Sequence, residues 1–178
     1  MTDMPHNAVQ GRISSLELPV CLAFNRANRH PAASTLFSTV SRLGDGYVWY
    51  FLAALLVVWH GGSALPTVGR MLLSGVGCVS LYKLLKATTG RPRPFEADSQ
   101  FYLSIAPLDE YSFPSGHTMH AVAFTVIVVA AYPALACALV PFTALVALSR
   151  LVLGLHYPSD VAVGALIGAL AGLGVTHL

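Results

Sequence analysis

The chain has 178 residues, 55% of them hydrophobic and only 10% charged, with a mean hydropathy of +0.66. Soluble domains carry roughly a quarter charged residues, so this composition excludes an ordinary soluble protein and describes a membrane protein. A net charge of +2 without a basic stripe gives no sign of a nucleic-acid partner, and three distant cysteines in apolar surroundings (Cys21, Cys78 and Cys137) argue against a disulfide framework or a zinc site.

Residues 1–13 are polar and lack a secretory pattern. They are expected to fray, ahead of a single domain over 14–178. Between 14 and 43, apolar residues alternate with Glu17, Asn25, Arg26, Asn28, Arg29 and His30, and neither half reaches the roughly 20 apolar residues of a span. The expectation is two interfacial amphipathic helices with arginines toward headgroups. The alternative is a helix packed across the end of the bundle. Gly44-Asp45-Gly46 then marks a turn.

Five apolar runs follow, at 47–59, 67–85, 117–132, 134–155 and 158–178. The first has aromatics at both ends, as interfacial belts require. In the second, Gly69, Ser74, Gly75, Gly77 and Ser80 offer small faces for close packing. His60 and Lys83 read as interface anchors. Pro133 and Pro158 suit helix boundaries. The fold expected is all-α, a polytopic membrane bundle of about five transmembrane helices plus the N-terminal amphipathic helices.

Nearly all the polar chemistry sits in three clusters at the edges of these runs: Lys86 with Arg93-Pro94; Pro114-Ser115-Gly116-His117; and Ser149-Arg150 with His156 and Asp160. Up-and-down threading puts Lys86 at the end of the second run, His117 at the start of the third, Arg150 and His156 at the end of the fourth, and Asp160 at the start of the fifth. All therefore share one side of the membrane. Three cations suit a phosphoryl group, arginine especially, because its planar fork holds two oxygens and keeps its charge. Ser115-Gly116 reads as a helix start whose capping serine and free N–H groups face an anion. Two histidines are available to attack or to protonate, and the residues alone leave open which does which.

The three clusters match in order and spacing the signature Lys-x6-Arg-Pro, Pro-Ser-Gly-His and Ser-Arg-x5-His-x3-Asp, so the chain resembles the type 2 phosphatidic acid phosphatases (PAP2), which share a fold with vanadium haloperoxidases. The resemblance implies that His156 is a nucleophile forming a phosphohistidine. Asp160 would hydrogen-bond its other ring nitrogen, and His117 would protonate the leaving oxygen. Lys86, Arg93, Ser115, Gly116 and Arg150 would bind the phosphoryl oxygens. It also implies a lipid phosphate substrate (phosphatidate, phosphatidylglycerophosphate, undecaprenyl diphosphate or a lipid A phosphate), no metal or other cofactor, and residence in a bacterial inner membrane. The family commonly has six spans against the five found here, so the side the site faces stays open.

Other polar residues have two readings each. Arg91 is a rim charge or touches the head group, and His120 is a supporting group or an interior histidine. Phe101, Tyr102, Tyr111 and Phe113 anchor the 87–113 connection or line an entrance. A zinc hydrolase using His117, His120, His156 and Asp160 is disfavoured, because Lys86, Arg93 and Arg150 repel a metal. A transporter would carry its charges near mid-membrane rather than at one end.

Overall fold

The computed structural model describes residues 5–177, and every regular element among them is helical. Two helices come first, α1 (Pro5–Asn28) and α2 (Pro31–Arg42). A kinked turn, Leu43–Tyr47, leads into α3 (Val48–His60), and the short turn Gly61–Ala64 into α4 (Leu65–Thr89). A single turn, α5 (Pro94–Ala97), interrupts the long connection to α6 (Gly116–Ala131), which is followed by α7 (Ala136–Val152) and α8 (Pro158–Thr176).

The five expected spans correspond to α3, α4, α6, α7 and α8. Three helical stretches are long and apolar enough to cross a bilayer, within 31–97, at Pro133–Val152 and at Pro158–Thr176, and Gly116–Ala131 is a shorter apolar helix. Large apolar side chains also cover the outside: Phe51, Val58, Leu72, Val76, Leu166 and Leu170 are all more than half exposed. Water would not tolerate such a surface, but a bilayer solvates it. The chain is an integral membrane protein.

Inside, Trp49, Leu56, Met71, Ile127, Val128, Leu139 and Val146 form the core shared by α3, α4, α6 and α7. Trp49 meets Phe124 and Phe142 edge to face, with ring centres 5.5 and 5.8 Å away. The closest backbone packing is elsewhere than the sequence suggested. Gly69 and Gly77 on α4 face open space, whereas Gly164 and Gly168 on α8 lie so near α6 that a Cβ would come within 2.6 Å of the Ser115 carbonyl and 2.3 Å of that of Met119. Four-residue spacing keeps these glycines on one face. Their contact sets the height of the start of α8 against the start of α6, where the Ser115 N–H donates to the Asp160 carbonyl at 3.1 Å.

The N-terminal region also departs from expectation. Residues 1–4 lie outside the described residues, but 5–13 are helical and continue into α1. Asn25 and Asn28 are buried, and Arg26, Arg29 and Arg42 are exposed. Asn25 Nδ2 donates to the Val152 carbonyl at 2.9 Å, and Asn28 Nδ2 to that of Tyr102 at 2.8 Å. Ser41 of α2 accepts from Arg150. α1 and α2 therefore pack on the end of the bundle that carries the polar clusters, as in the alternative reading, with the arginines on their outer side.

Candidate active site

Four helix ends meet at this site. α4 stops at Gly90, whose φ of 57° is readily adopted only by glycine, and the Gly90 N–H closes the helix on the Lys86 carbonyl at 3.0 Å. Lys86 is thereby held in the last turn. The chain then runs extended through Arg91 and Pro92, paired with the later part of the same connection by a 2.9 Å bond from the Ser112 N–H to the Arg91 carbonyl.

Lys86 and Arg93 converge on one carboxylate. Lys86 Nζ lies 2.6 Å from both oxygens of Asp109, and Arg93 Nη2 lies 2.6 Å from Oδ1. Arg93 Nη1 is fixed on the Leu155 carbonyl at 2.7 Å. Asp109 thus bridges the two cations that the sequence assigned to a phosphoryl group. Partial burial raises its proton affinity, but the hydrogen bonds and charges of Lys86 and Arg93 outweigh that and hold it below its ordinary value of 3.8.

Arg150 is buried, and its Nη1 donates to Ser41 Oγ, while its Nε has no partner among the described residues. Arg150 also lines the cavity of the site, where a guanidinium suits an anion.

His156 follows α7 in the connection 153–157. Its Nδ1 is 2.6 Å from the Ser112 carbonyl, a group that can only accept, so Nδ1 carries the proton and Nε2 keeps its lone pair. The expected hydrogen bond from Nδ1 to Asp160 is not made: Asp160 Oδ2 lies 3.6 Å from Nδ1, beyond hydrogen-bond length, and accepts the Tyr157 N–H at 2.8 Å. Burial, followed by the charges of Arg150, Arg93 and Lys86, pushes the His156 ring well below its ordinary value of 6.5. It is a neutral base at physiological pH.

His117, in the first turn of α6, places Nε2 3.4 Å from Asp45 Oδ1 in the kinked turn before α3. The Ser115 side chain does not cap α6. Its Oγ is 3.0 Å from Thr118 Oγ1, and the first-turn N–H groups remain without intrahelical acceptors. Lys86, Arg93, Gly116, His117, Arg150 and His156 all line one cavity of about 780 Å³. Ser115 and Asp160 stand behind it, both fully buried.

His120 lines the same cavity, but its two ring nitrogens lie 2.8 Å from the Gly116 carbonyl and 3.3 Å from that of Gly75. It bridges α6 to α4, and among the described residues no three His, Cys, Asp or Glu side chains are grouped as a metal would need. Of the loop aromatics, Tyr111 lines the cavity, while the Tyr102 main chain is held by Asn25 and Asn28. Sequence reasoning missed Asp45, Asp109, Ser112 and Glu17, and took Arg91 for a rim charge although it is buried and bonded to Asp160 at 2.5 Å. The adjacency of Arg91 to Arg93 was a visible signal. The others carry no local one.

Residues 63–178, which contain all three clusters, match the model of the PAP2 superfamily. The chain belongs to that superfamily. Among curated PAP2-like relatives, the lipid A 1-phosphatase of Rhizobium johnstonii is 34% identical over 120 residues, 65% of this chain but only 46% of that protein's length. The decaprenylphosphoryl-5-phosphoribose phosphatase of Mycobacterium tuberculosis is 34% identical over 138 residues, 75% of this chain and 73% of its own. The crystal structure of Aquifex aeolicus LpxE superposes with a TM-score of 0.75 at 29% identity, over 92% of this chain and 96% of that one. Glu17 on α1 and Asp45 in the kinked turn before α3 fall outside the residues matched by the superfamily model.

Proposed function

We propose that this chain is a membrane lipid phosphatase, hydrolysing a phosphomonoester or diphosphate of a lipid through a phosphohistidine on His156 without a metal. The carrying observation is the placement of the cation cradle at the mouth of an apolar groove. α3 and α4 leave their connecting turn and diverge, so the cavity runs from Lys86 and Arg150 past Trp49, Tyr50, Met71, Val76 and Phe124. A phosphoryl group fits the polar end and a hydrocarbon chain the other. The relatives' names, lipid A 1-phosphatase and decaprenylphosphoryl-5-phosphoribose phosphatase, agree with that class.

In this reading, phosphate displaces Asp109 from Lys86 and Arg93 and accepts the spare donor of Arg150 and the N–H groups at the start of α6. The Nε2 lone pair of His156 forms the P–N bond as the P–O bond to the lipid breaks. His117 gives its proton to the departing oxygen, with Asp45 beside it. Water then attacks the phosphohistidine, losing a proton to His117, and inorganic phosphate leaves. Asp160 and the Ser112 carbonyl support the positive charge that His156 acquires.

Phosphate release from phosphatidate, phosphatidylglycerophosphate, undecaprenyl diphosphate and lipid A, measured on pure protein in detergent with and without EDTA, tests the proposal. Turnover of at least one lipid, undiminished by EDTA and inhibited by vanadate, is expected. Activity lost to EDTA and restored by zinc or magnesium contradicts it. The bacterial inner membrane remains the proposed location.

A further inference from the structure

Arg91 has no part in the proposed chemistry, yet it is 4% exposed and all three of its nitrogens are engaged. Nε donates to Ser14 Oγ at 3.2 Å, Nη1 to Ser159 Oγ at 2.7 Å and Asp160 Oδ1 at 2.5 Å, and Nη2 to Glu17 Oε2 at 2.7 Å. Its plane rests 4.0 Å from the ring centre of Tyr157. With its donors so committed and no place in the cavity lining, Arg91 is not a phosphate ligand. Glu17 makes the arrangement firmer: Oε1 accepts the Ser159 N–H and Oε2 the Ser159 hydroxyl, each at 2.7 Å, so a carboxylate on α1 also caps the first turn of α8.

We infer that Arg91 is a positioning residue for the nucleophile, acting through Asp160, and that Glu17 of the N-terminal helix holds it in place. Asp160 is fully buried. A buried carboxylate without a partner takes up a proton or turns to a nearby donor, and His156 Nδ1 is within reach, at 3.6 Å. By holding Oδ1, Arg91 keeps Oδ2 on the Tyr157 N–H and beside the ring, while the Ser112 carbonyl stays the acceptor of the Nδ1 proton. The negative charge of Asp160 is thereby fixed where positive charge develops as the P–N bond forms. The consequence is that α1, which lies outside the residues matched by the superfamily model, is coupled to the nucleophile through two ion pairs in series: Glu17 to Arg91, and Arg91 to Asp160.

This inference rests on His156 being the nucleophile, and the test separates the two. Turnover of 4-nitrophenyl phosphate and inhibition by vanadate are measured on the full chain in detergent for Arg91→Gln, Arg91→Lys, Glu17→Gln, Asp160→Asn and both double variants with Asp160→Asn, alongside His156→Ala. Arg91→Gln should lower kcat about 10- to 100-fold and Glu17→Gln about 3- to 10-fold, with KM and vanadate affinity within about threefold of wild type. Arg91→Lys should recover part of the loss, and neither double variant should be slower than Asp160→Asn alone. If Arg91→Gln does not fold, Arg91→Lys and the Glu17→Gln pair carry the test. Losses that multiply in the double variants, a fall in vanadate affinity at unchanged kcat, or melting midpoints that fall with no change in kcat overturn the inference while leaving the nucleophile in place. Turnover surviving in His156→Ala removes the nucleophile, and this inference with it.

Discussion

The hydrogen bond that fixes the His156 ring goes to a main-chain group: Nδ1 is 2.6 Å from the Ser112 carbonyl and 3.6 Å from Asp160. The tautomer that leaves the Nε2 lone pair free is thus set by the connection between α5 and α6. Asp160 contributes charge rather than the proton acceptor. Replacing it should therefore hurt less than replacing the aspartate of a serine-protease triad, where the loss is about 10⁴-fold. Asp160→Asn should lower kcat on the order of 10- to 100-fold, because the charge is lost while the Ser112 carbonyl still holds the Nδ1 proton. Steady-state kinetics on the folded variant check this. A loss as deep as the triad's would mean that the ring turns to Asp160 during turnover.

The electrostatics of the site predict a sign for the dependence of stability on pH. His156 is held neutral in the folded protein, whereas the unfolded chain binds a proton there near its ordinary value of 6.5. Below that value the unfolded state holds more protons, so stability falls as pH falls, by up to about 1.4 kcal/mol per pH unit for one group, until the depressed folded value is reached. Asp109 is shifted in the same direction, and its contribution is present above 3.8 and lost only as pH falls through its lower folded value. It adds no slope near neutrality. Thermal unfolding in detergent between about pH 5 and pH 7.5 should show a slope that shrinks in His156→Asn. An unchanged slope contradicts the neutral ring.

Asp109 is paired with the two cations that the proposed function gives to phosphate. Asp109→Asn should tighten vanadate inhibition by about 3- to 30-fold, since one competing charge is removed from Lys86 and Arg93, and should lower the melting temperature by leaving those cations unpaired. Inhibition curves and melting curves on the same preparation read both. Weaker vanadate binding would make Asp109 an orienter of the cradle rather than a competitor for it.

Helix order and the eight signature residues were legible because each depends on local spacing: long apolar runs set the spans, and the three clusters sit at their ends. What escaped is what arises between distant parts of the chain. Glu17 meets Ser159 across 142 residues and Arg91 across 74. Asp45 looked like a turn residue, which it also is, and only the path of α3 brings it to His117. The small face on α4 was misleading for a related reason. Gly69 and Gly77 have the composition for close packing, but it is α8 that lies flush on α6.

Because α1 and α2 pack on the site end, both should share one face of the membrane with the connection between α5 and α6. With Cys21, Cys78 and Cys137 replaced by serine, cysteines introduced at Arg26 and Ser99 should react alike with an impermeant thiol reagent in intact cells. One at Ser63, in the turn between α3 and α4, should behave oppositely. Equal labelling at Ser99 and Ser63 would contradict the bundle's orientation.

The two histidines should separate by leaving group. An alkoxide departs poorly without a proton and an aryl oxide departs well. The defect of His117→Ala should therefore shrink on 4-nitrophenyl phosphate relative to a lipid phosphate, by about 10-fold or more, whereas His156→Ala should be inactive on both. Equal His117→Ala defects on the two substrates would remove it as the acid.

The most direct test of the account is to trap the covalent intermediate. Protein quenched during turnover of a ³²P-labelled lipid phosphate should carry acid-labile, alkali-stable label, mapped by peptide sequencing to His156 and absent from His156→Ala. Label on His117, or turnover retained by His156→Ala, would contradict the assignment of His156 as the nucleophile.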